Sequence, residues 1–170
     1  MIIEESGMCF GNYDINNLFY IEKSEQYRKY LMPNGIKSCE FILLRGKTLY
    51  FIEAKTSCPN QISTETPQEK VGKYNEYISD IVNKIRHSIA IYMSILVRIH
   101  EFDDVPEDLR KWDLHNRNIK VILVVKNAKQ EWLDPLKTKL DRELSKDKRI
   151  WKFSFFVINE QMARKKNLIM

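Results

Sequence analysis

The sequence predicts a single layered α/β domain over residues 1–170, and three observations predict it. Two apolar runs flank Arg45-Gly46-Lys47 within residues 37–57, a long amphipathic pattern follows Thr66, and apolar runs at 119–125 and 150–158 bracket a further helical pattern. Period-two and period-3.6 segments alternating along one chain pack as a sheet with helices laid against it.

The first segment, 14–31, carries Ile15, Leu18, Phe19, Gln26 and Tyr30 at loose helical spacing, although Leu18-Phe19-Tyr20-Ile21 reads equally well as a strand. Pro33-Asn34-Gly35 ends it. Next come two runs, 39–44 and 48–54, joined by Gly46-Lys47, which suits a two-residue type II′ hairpin loop with Gly first. Thr66-Pro67-Gln68-Glu69 then reads as a capping box with Pro at the first helical position. Behind it, Val71, Tyr74, Ile78, Ile81, Ile85, Ile89, Tyr92, Leu96 and Ile99 recur three or four apart, and the pattern becomes apolar on most sides after Ser88. Such a helix, about 33 residues, would reach about 50 Å. Residues 119–125 read as a strand, Asp134-Pro135 opens a helix through Leu136, Leu140 and Leu144, and 150–158 read as another strand. Residues 159–170, with Arg164-Lys165-Lys166, read as a short tail.

Composition excludes several classes. With 44% hydrophobic residues, five glycines and five prolines in 170, the chain is neither disordered nor low-complexity. The run 89–97 is too short for a bilayer, which needs roughly 20 residues, and the N-terminus lacks a basic-then-apolar leader pattern. Cys9, Cys39 and Cys58 form no CxxC pair, so a reduced, cytoplasmic setting is expected rather than a disulfide framework or a zinc knuckle. A net charge of +5 leans modestly toward polyanionic partners.

The hairpin register yields the sharpest chemical expectation. With Gly46 and Lys47 as the loop, Arg45 pairs with Thr48, and Glu40 falls opposite Glu53, their Cβ atoms roughly 4.5–5.5 Å apart. Lys55 shares that face, because side chains alternate along a strand. Cys39, Phe41, Leu43, Tyr50, Ile52 and Ala54 take the other face. Ile42, Leu44, Leu49 and Phe51 make the acid face apolar toward the turn, so both faces should be covered. Opposed like charges destabilise a covered sheet unless a cation lies between them, and Mg²⁺ binds such carboxylates. The plain alternative is a solvated pair with Lys55 in a surface ion pair.

Glu40, the hairpin, and then Phe51-Ile52-Glu53-Ala54-Lys55-Thr56 resemble the core motif of the PD-(D/E)xK, or restriction-endonuclease-like, nuclease superfamily. Glu53-Ala54-Lys55 matches E-x-K directly, whereas Glu40 stands where the family usually has Asp and Cys39 where it often has Pro. The resemblance implies a restriction-endonuclease-like core, with a mixed central sheet containing the hairpin, flanked by helices that include one long helix. It implies phosphodiester hydrolysis, with Glu40, Glu53 and the Ala54 carbonyl holding Mg²⁺ or Mn²⁺ and Lys55 orienting the attacking water. Relatives carry a further acid on the preceding helix. Glu22, on the stripe of Leu18 and Phe19, is the choice here and Glu25 its rival. Gln68 and Tyr74 lie where some exonuclease relatives place Gln and Tyr, and Lys70 and Lys73 lie where a helix N-terminus favours phosphate.

His87, His100 and His115 have no metal-ligand spacing, and His115-Asn116-Arg117-Asn118 lacks the context of an HNH nuclease. Trp112, Trp132 and Trp151 read as core residues. Three function classes follow: a Mg²⁺-dependent nuclease, DNA favoured over RNA, serving repair, restriction or defence; a non-catalytic nucleic-acid-binding or regulatory subunit on the same fold; and an interaction protein that assembles through the long helix, as a homodimer or with a partner.

Overall fold

The computed structural model of the chain describes residues 1–59, 66–111 and 118–170. Trp112 and His115-Asn116-Arg117 lie outside the described residues.

A five-stranded mixed sheet organises the molecule, in the order β3 (Leu18–Phe19), β4 (Phe41–Arg45), β5 (Thr48–Lys55), β6 (Asn118–Val125), β7 (Phe153–Asn159). β3, β4 and β5 run antiparallel in turn, and β6 and β7 run parallel to β5. The two parallel connections carry the helices α1 (Gln68–Leu96), α2 (Glu107–Arg110), α3 (Gln130–Glu143) and α4 (Ser145–Trp151). Residues buried on α1, α2 and α3 join Ile42, Leu44, Leu49, Phe51, Val121 and Leu123 in one core. The other sheet face is covered by a small N-terminal hairpin, β1 (Ile3–Glu5) with β2 (Met8–Phe10), and by α5 (Glu160–Lys165) with the chain end. Covered on both sides, β6 is apolar through Val121-Ile122-Leu123-Val124-Val125, as a central parallel strand must be.

The β4–β5 hairpin has the expected register, from Arg45↔Thr48 to Phe41↔Ile52. Gly46 holds φ 55°, a left-handed backbone that glycine adopts without strain. α1 is 29 residues, about 43 Å. It begins after Pro67, which takes the N-cap position with extended backbone, so the expected Thr66 cap is displaced by one residue. Ile85 and Ile89 are each 1% exposed, which means the helix spends its apolar stripe on its own sheet.

Other expectations are corrected. Segment 14–31 is no α-helix: Leu18–Phe19 forms an edge strand against Leu43 and Ile42, between short 3₁₀ turns at Ile15–Asn17 and Ile21–Lys23, with a π turn at Tyr27–Leu31. The free edge of β4 supplied hydrogen-bond partners that a loose apolar stripe could not match. Helix α3 begins at Gln130 rather than at Asp134, with Pro135 inside it, because Leu133 extends the buried stripe of Leu136 and Leu140 backward. Ile150 and Trp151 end helix α4; Lys152, at φ 51°, turns the chain into β7. Residues 159–170 are no loose tail, since Leu168 and Ile169 are buried and the Met170 amide donates to the Cys9 carbonyl at 2.9 Å. Trp132 and Trp151 are only partly buried. No helix among the described residues is long and apolar enough to cross a membrane.

Candidate functional site

The sheet face under α1 is apolar near the hairpin turn and acidic at the opposite end. Glu53 continues the row of Leu49 and Phe51 and pairs with Leu123 of β6, deep inside the sheet, with no exposed surface. Glu40 immediately precedes β4; its amide donates to the Ile52 carbonyl at 3.0 Å, and the residue is 4% exposed. Lys55, one alternation beyond Glu53, places Nζ 3.3 Å from Glu53 Oε1 and 3.0 Å from Asp80 Oδ2. Glu22 lies on the Ile21–Lys23 turn, where its amide donates to the Glu40 carbonyl at 3.3 Å. Glu25 is exposed. Thus Glu22, Glu40, Glu53 and Lys55 gather at one end of the sheet, while the Ala54 side chain is buried on the opposite face.

Further groups, none anticipated from the sequence, complete the cluster. Lys84 of α1 places Nζ 3.0 Å from Glu53 Oε1, and 3.8 Å from both Glu40 Oε1 and Glu22 Oε1. Asp80, one turn earlier, bridges Lys55 and Lys37, the latter at 2.6 Å. Glu5 of β1 offers a carboxylate oxygen within 4.8 Å of ligand atoms on Glu22 and Glu40, and accepts a hydrogen bond from the Tyr20 hydroxyl. One signal was available: Tyr77, Asp80, Lys84 and Ser88 recur at intervals of three, four and four, a polar stripe beside the apolar one. Glu5 and Tyr20 carried no signal, because only the closure of the N-terminal hairpin over the sheet brings them near.

The segment leading into Glu40 is pinned to α1. Ser88 Oγ accepts from the Cys39 amide at 2.7 Å and donates to the Lys84 carbonyl at 2.6 Å, and His87 Nδ1 accepts from the Lys37 amide at 3.0 Å. Cys39 therefore lies with the helix-side core rather than on the face opposite Glu40, the position expected for it.

Burial dominates the electrostatics. It pushes the Glu40 carboxyl up to about 10, helped by a hydrogen bond shared with Glu22 and by the charge of Glu53. It pushes Glu53 up to about 7, against the pull of Lys84 and Lys55. Burial draws Lys84 down, but Glu53 and Glu40 outweigh it and hold the ammonium above the ordinary lysine range. For Asp80, burial is outweighed by hydrogen bonds from Lys37 and Lys55, which keep the carboxyl below its usual value.

Among the described residues, the carboxylates close enough to share one ion are Glu5, Glu22 and Glu40, whose ligand atoms all lie within 4.8 Å of one another; Glu53 is not in that group. Glu40 Oε2 and both carboxylate oxygens of Glu53 are buried without a hydrogen-bond donor, the lysine approach to Glu53 being an ion pair poorly aligned for one. Carboxylate oxygens are the donor set Mg²⁺ and Mn²⁺ prefer.

The predicted nucleic-acid contacts divide. Gln68 and Lys70 are exposed in the first turn of α1. Lys73 pairs with Glu69 at 2.5 Å and, with Lys37, Tyr77 and Asp80, lines a shallow groove beside the acid cluster. Tyr74 points into the core, 9% exposed; Tyr77, whose hydroxyl donates to the Ser57 carbonyl at 3.3 Å, lines the groove. Arg164 pairs with Glu160 at 2.7 Å. His87 is a backbone acceptor and His100 packs edge-on against Phe102.

Comparison with protein-family models, with curated proteins and with solved structures returned no match.

Proposed function

We propose that the chain is a divalent-metal-dependent nuclease, hydrolysing phosphodiester bonds on a restriction-endonuclease-like core, with DNA favoured over RNA. The observation that carries this reading is the pair of buried carboxylates, Glu53 on β5 and Glu40 just before β4, with oxygens that accept no hydrogen bond and the Lys55 amine beside them. Buried carboxylate oxygens that accept no hydrogen bond are costly even beside an ammonium, and a ligand that satisfies them offsets that cost. The mixed sheet, with the acid pair on its antiparallel half and α1 crossing over it, supports the same core. Repair, restriction or defence in a reducing cytoplasm is the setting this resemblance implies, and Cys9, Cys39 and Cys58 are free thiols.

On this reading Glu40, Glu53, the Ala54 carbonyl and Glu22 would hold Mg²⁺ or Mn²⁺. When bound, such an ion lowers the pKa of water and offsets phosphate charge. Lys55, fixed by Asp80 at 3.0 Å, is a donor that orients the attacking water or a phosphate oxygen. Lys84 balances the carboxylate charge from the helix side, Lys37 and Lys73 attract the polyanionic backbone along the groove, and Lys70 adds positive charge on the first turn of α1.

A panel of labelled DNA and RNA substrates with Mg²⁺ and Mn²⁺ tests this. Cleavage should disappear in Glu53→Ala and in Lys55→Ala. Cleavage retained by both variants would remove the assignment.

Lys84 favours a second reading, in which a built-in ammonium serves as the cation among the acids and the fold binds nucleic acid without cutting it. That reading predicts binding to the same substrates with no metal-dependent product.

A further inference from the structure

On the opposite face of the sheet, at the hairpin-turn end, lies a cavity of about 240 Å³ that the acid cluster does not reach. Arg45, Lys120 and Lys166 are its charged lining, and no carboxylate lines it among the described residues. Its apolar lining includes Tyr50, Ile122 and Phe156. The register explains the grouping: Tyr50 and Lys120 are neighbours across β5 and β6, and Ile122 and Phe156 are neighbours across β6 and β7, all on one face. The N-terminal hairpin and α5 cover the rest of this face but leave the Phe156 ring 37% exposed at mid-strand. Phe156 is thus the solvent-facing apolar part of the cavity lining.

The cations are held in different ways. Arg45 donates to the Asn167 carbonyl at 2.7 Å and to the Lys166 carbonyl at 3.4 Å, which fixes its guanidinium on the wall with donors to spare. Lys120 lies over the Tyr50 ring, 5.7 Å from its centroid. Neither has an acidic partner in these contacts. The cavity therefore combines an aromatic, apolar floor with uncompensated positive charge, at a size below the roughly 300–1,000 Å³ usual for drug-sized ligands.

We propose that this cavity is a second binding site, for one nucleotide unit: a base stacked on Phe156 with its phosphate against Arg45, Lys120 and Lys166. Stacking is tolerant of base identity, and the fixed guanidinium suits a phosphate fork. The unit is either a free mononucleotide or one nucleotide of a single strand. The site stands apart from the acid cluster and does not depend on nuclease activity.

Calorimetric titration of the full chain with AMP, and separately with a short oligo-dT strand, tests it in metal-free buffer. Saturable binding of either ligand, weakened about tenfold or more by both Phe156→Ala and Lys120→Gln, is expected. Lys139→Glu, a charge reversal on α3, should leave that binding unchanged, which separates the site from net charge. Binding of AMP identifies a free mononucleotide as the ligand, and binding of the strand alone identifies single-stranded nucleic acid. Both variants are at least partly exposed, and circular dichroism checks that they fold. Failure of both ligands to bind, or binding indifferent to both variants, overturns the proposal. So does self-association that Phe156→Ala abolishes without any nucleotide affinity.

Discussion

The Lys84 ammonium lies 3.0 Å from Oε1 of Glu53, a residue without exposed surface. One helix side chain thus meets a carboxylate from the central sheet, and it also reaches Glu40 and Glu22 at 3.8 Å. A buried acid that loses its counter-charge must protonate or destabilise the fold, so this contact governs how the whole cluster behaves.

Lys84→Met should therefore be strongly destabilising near pH 8, by about 3–5 kcal/mol, because it leaves Glu53 without its nearest cation. Adding Glu53→Gln should recover much of that loss. Urea denaturation of the single and double variants measures both; equal stability of wild type and Lys84→Met would mean that the ion pair contributes nothing.

Divalent cation and ammonium compete for the same oxygens. Mn²⁺ should raise the melting temperature of wild type, raise that of Lys84→Met by more, and leave Glu53→Ala unmoved. Differential scanning fluorimetry with and without chelator gives the three shifts. An equal shift in Glu53→Ala would place the metal elsewhere.

In chelator the chain should lose stability as pH rises. Glu40 and Glu53 both titrate above the ordinary 4.5 in the folded chain, so the folded state keeps protons that the unfolded state releases. Their contribution is complete below about 4.5 and is lost as pH climbs through about 7 toward about 10. Lys84 acts only above this window, and Asp80 only below it. His87, drawn down by burial, works in the opposite direction below its ordinary 6.5. Urea midpoints across this range should fall, and Glu40→Gln should flatten the decline; a midpoint that rises would contradict the burial of the pair.

Ser88→Ala removes the acceptor of the Cys39 amide and leaves that buried donor unpaired, at a cost of about 1–3 kcal/mol. Because Cys39 precedes Glu40, the variant should also weaken the Mn²⁺-induced thermal shift. Loss of stability with an unchanged shift would mean that Ser88 holds the segment without positioning the acid.

Much of the molecule is legible in its sequence. Hairpin register follows from one turn, Arg45-Gly46-Lys47-Thr48, and alternation then carries Glu53 and Lys55 to one face, while Glu40 lies just before the ladder, whose last pair is Phe41↔Ile52. The long helix and the strand at 118–125 were equally plain, since strong periodicity and a dense β-branched run are local signals.

Less was legible where two local patterns competed or where partners were distant. Leu18–Phe19 is a strand only because β4 offers it an edge, and Ile150-Trp151 is helical only because Lys152 turns the chain afterwards. The sequence by itself determined that two acids and an amine would share a surface, because turn geometry and strand alternation are properties of neighbouring residues. Only the tertiary structure decided that Lys84, Asp80 and Glu5 would join them and that Glu53 would be buried, because these follow from which helix crosses the sheet and which hairpin closes over it. Such contacts join residues up to tens of positions apart, and no local pattern encodes them.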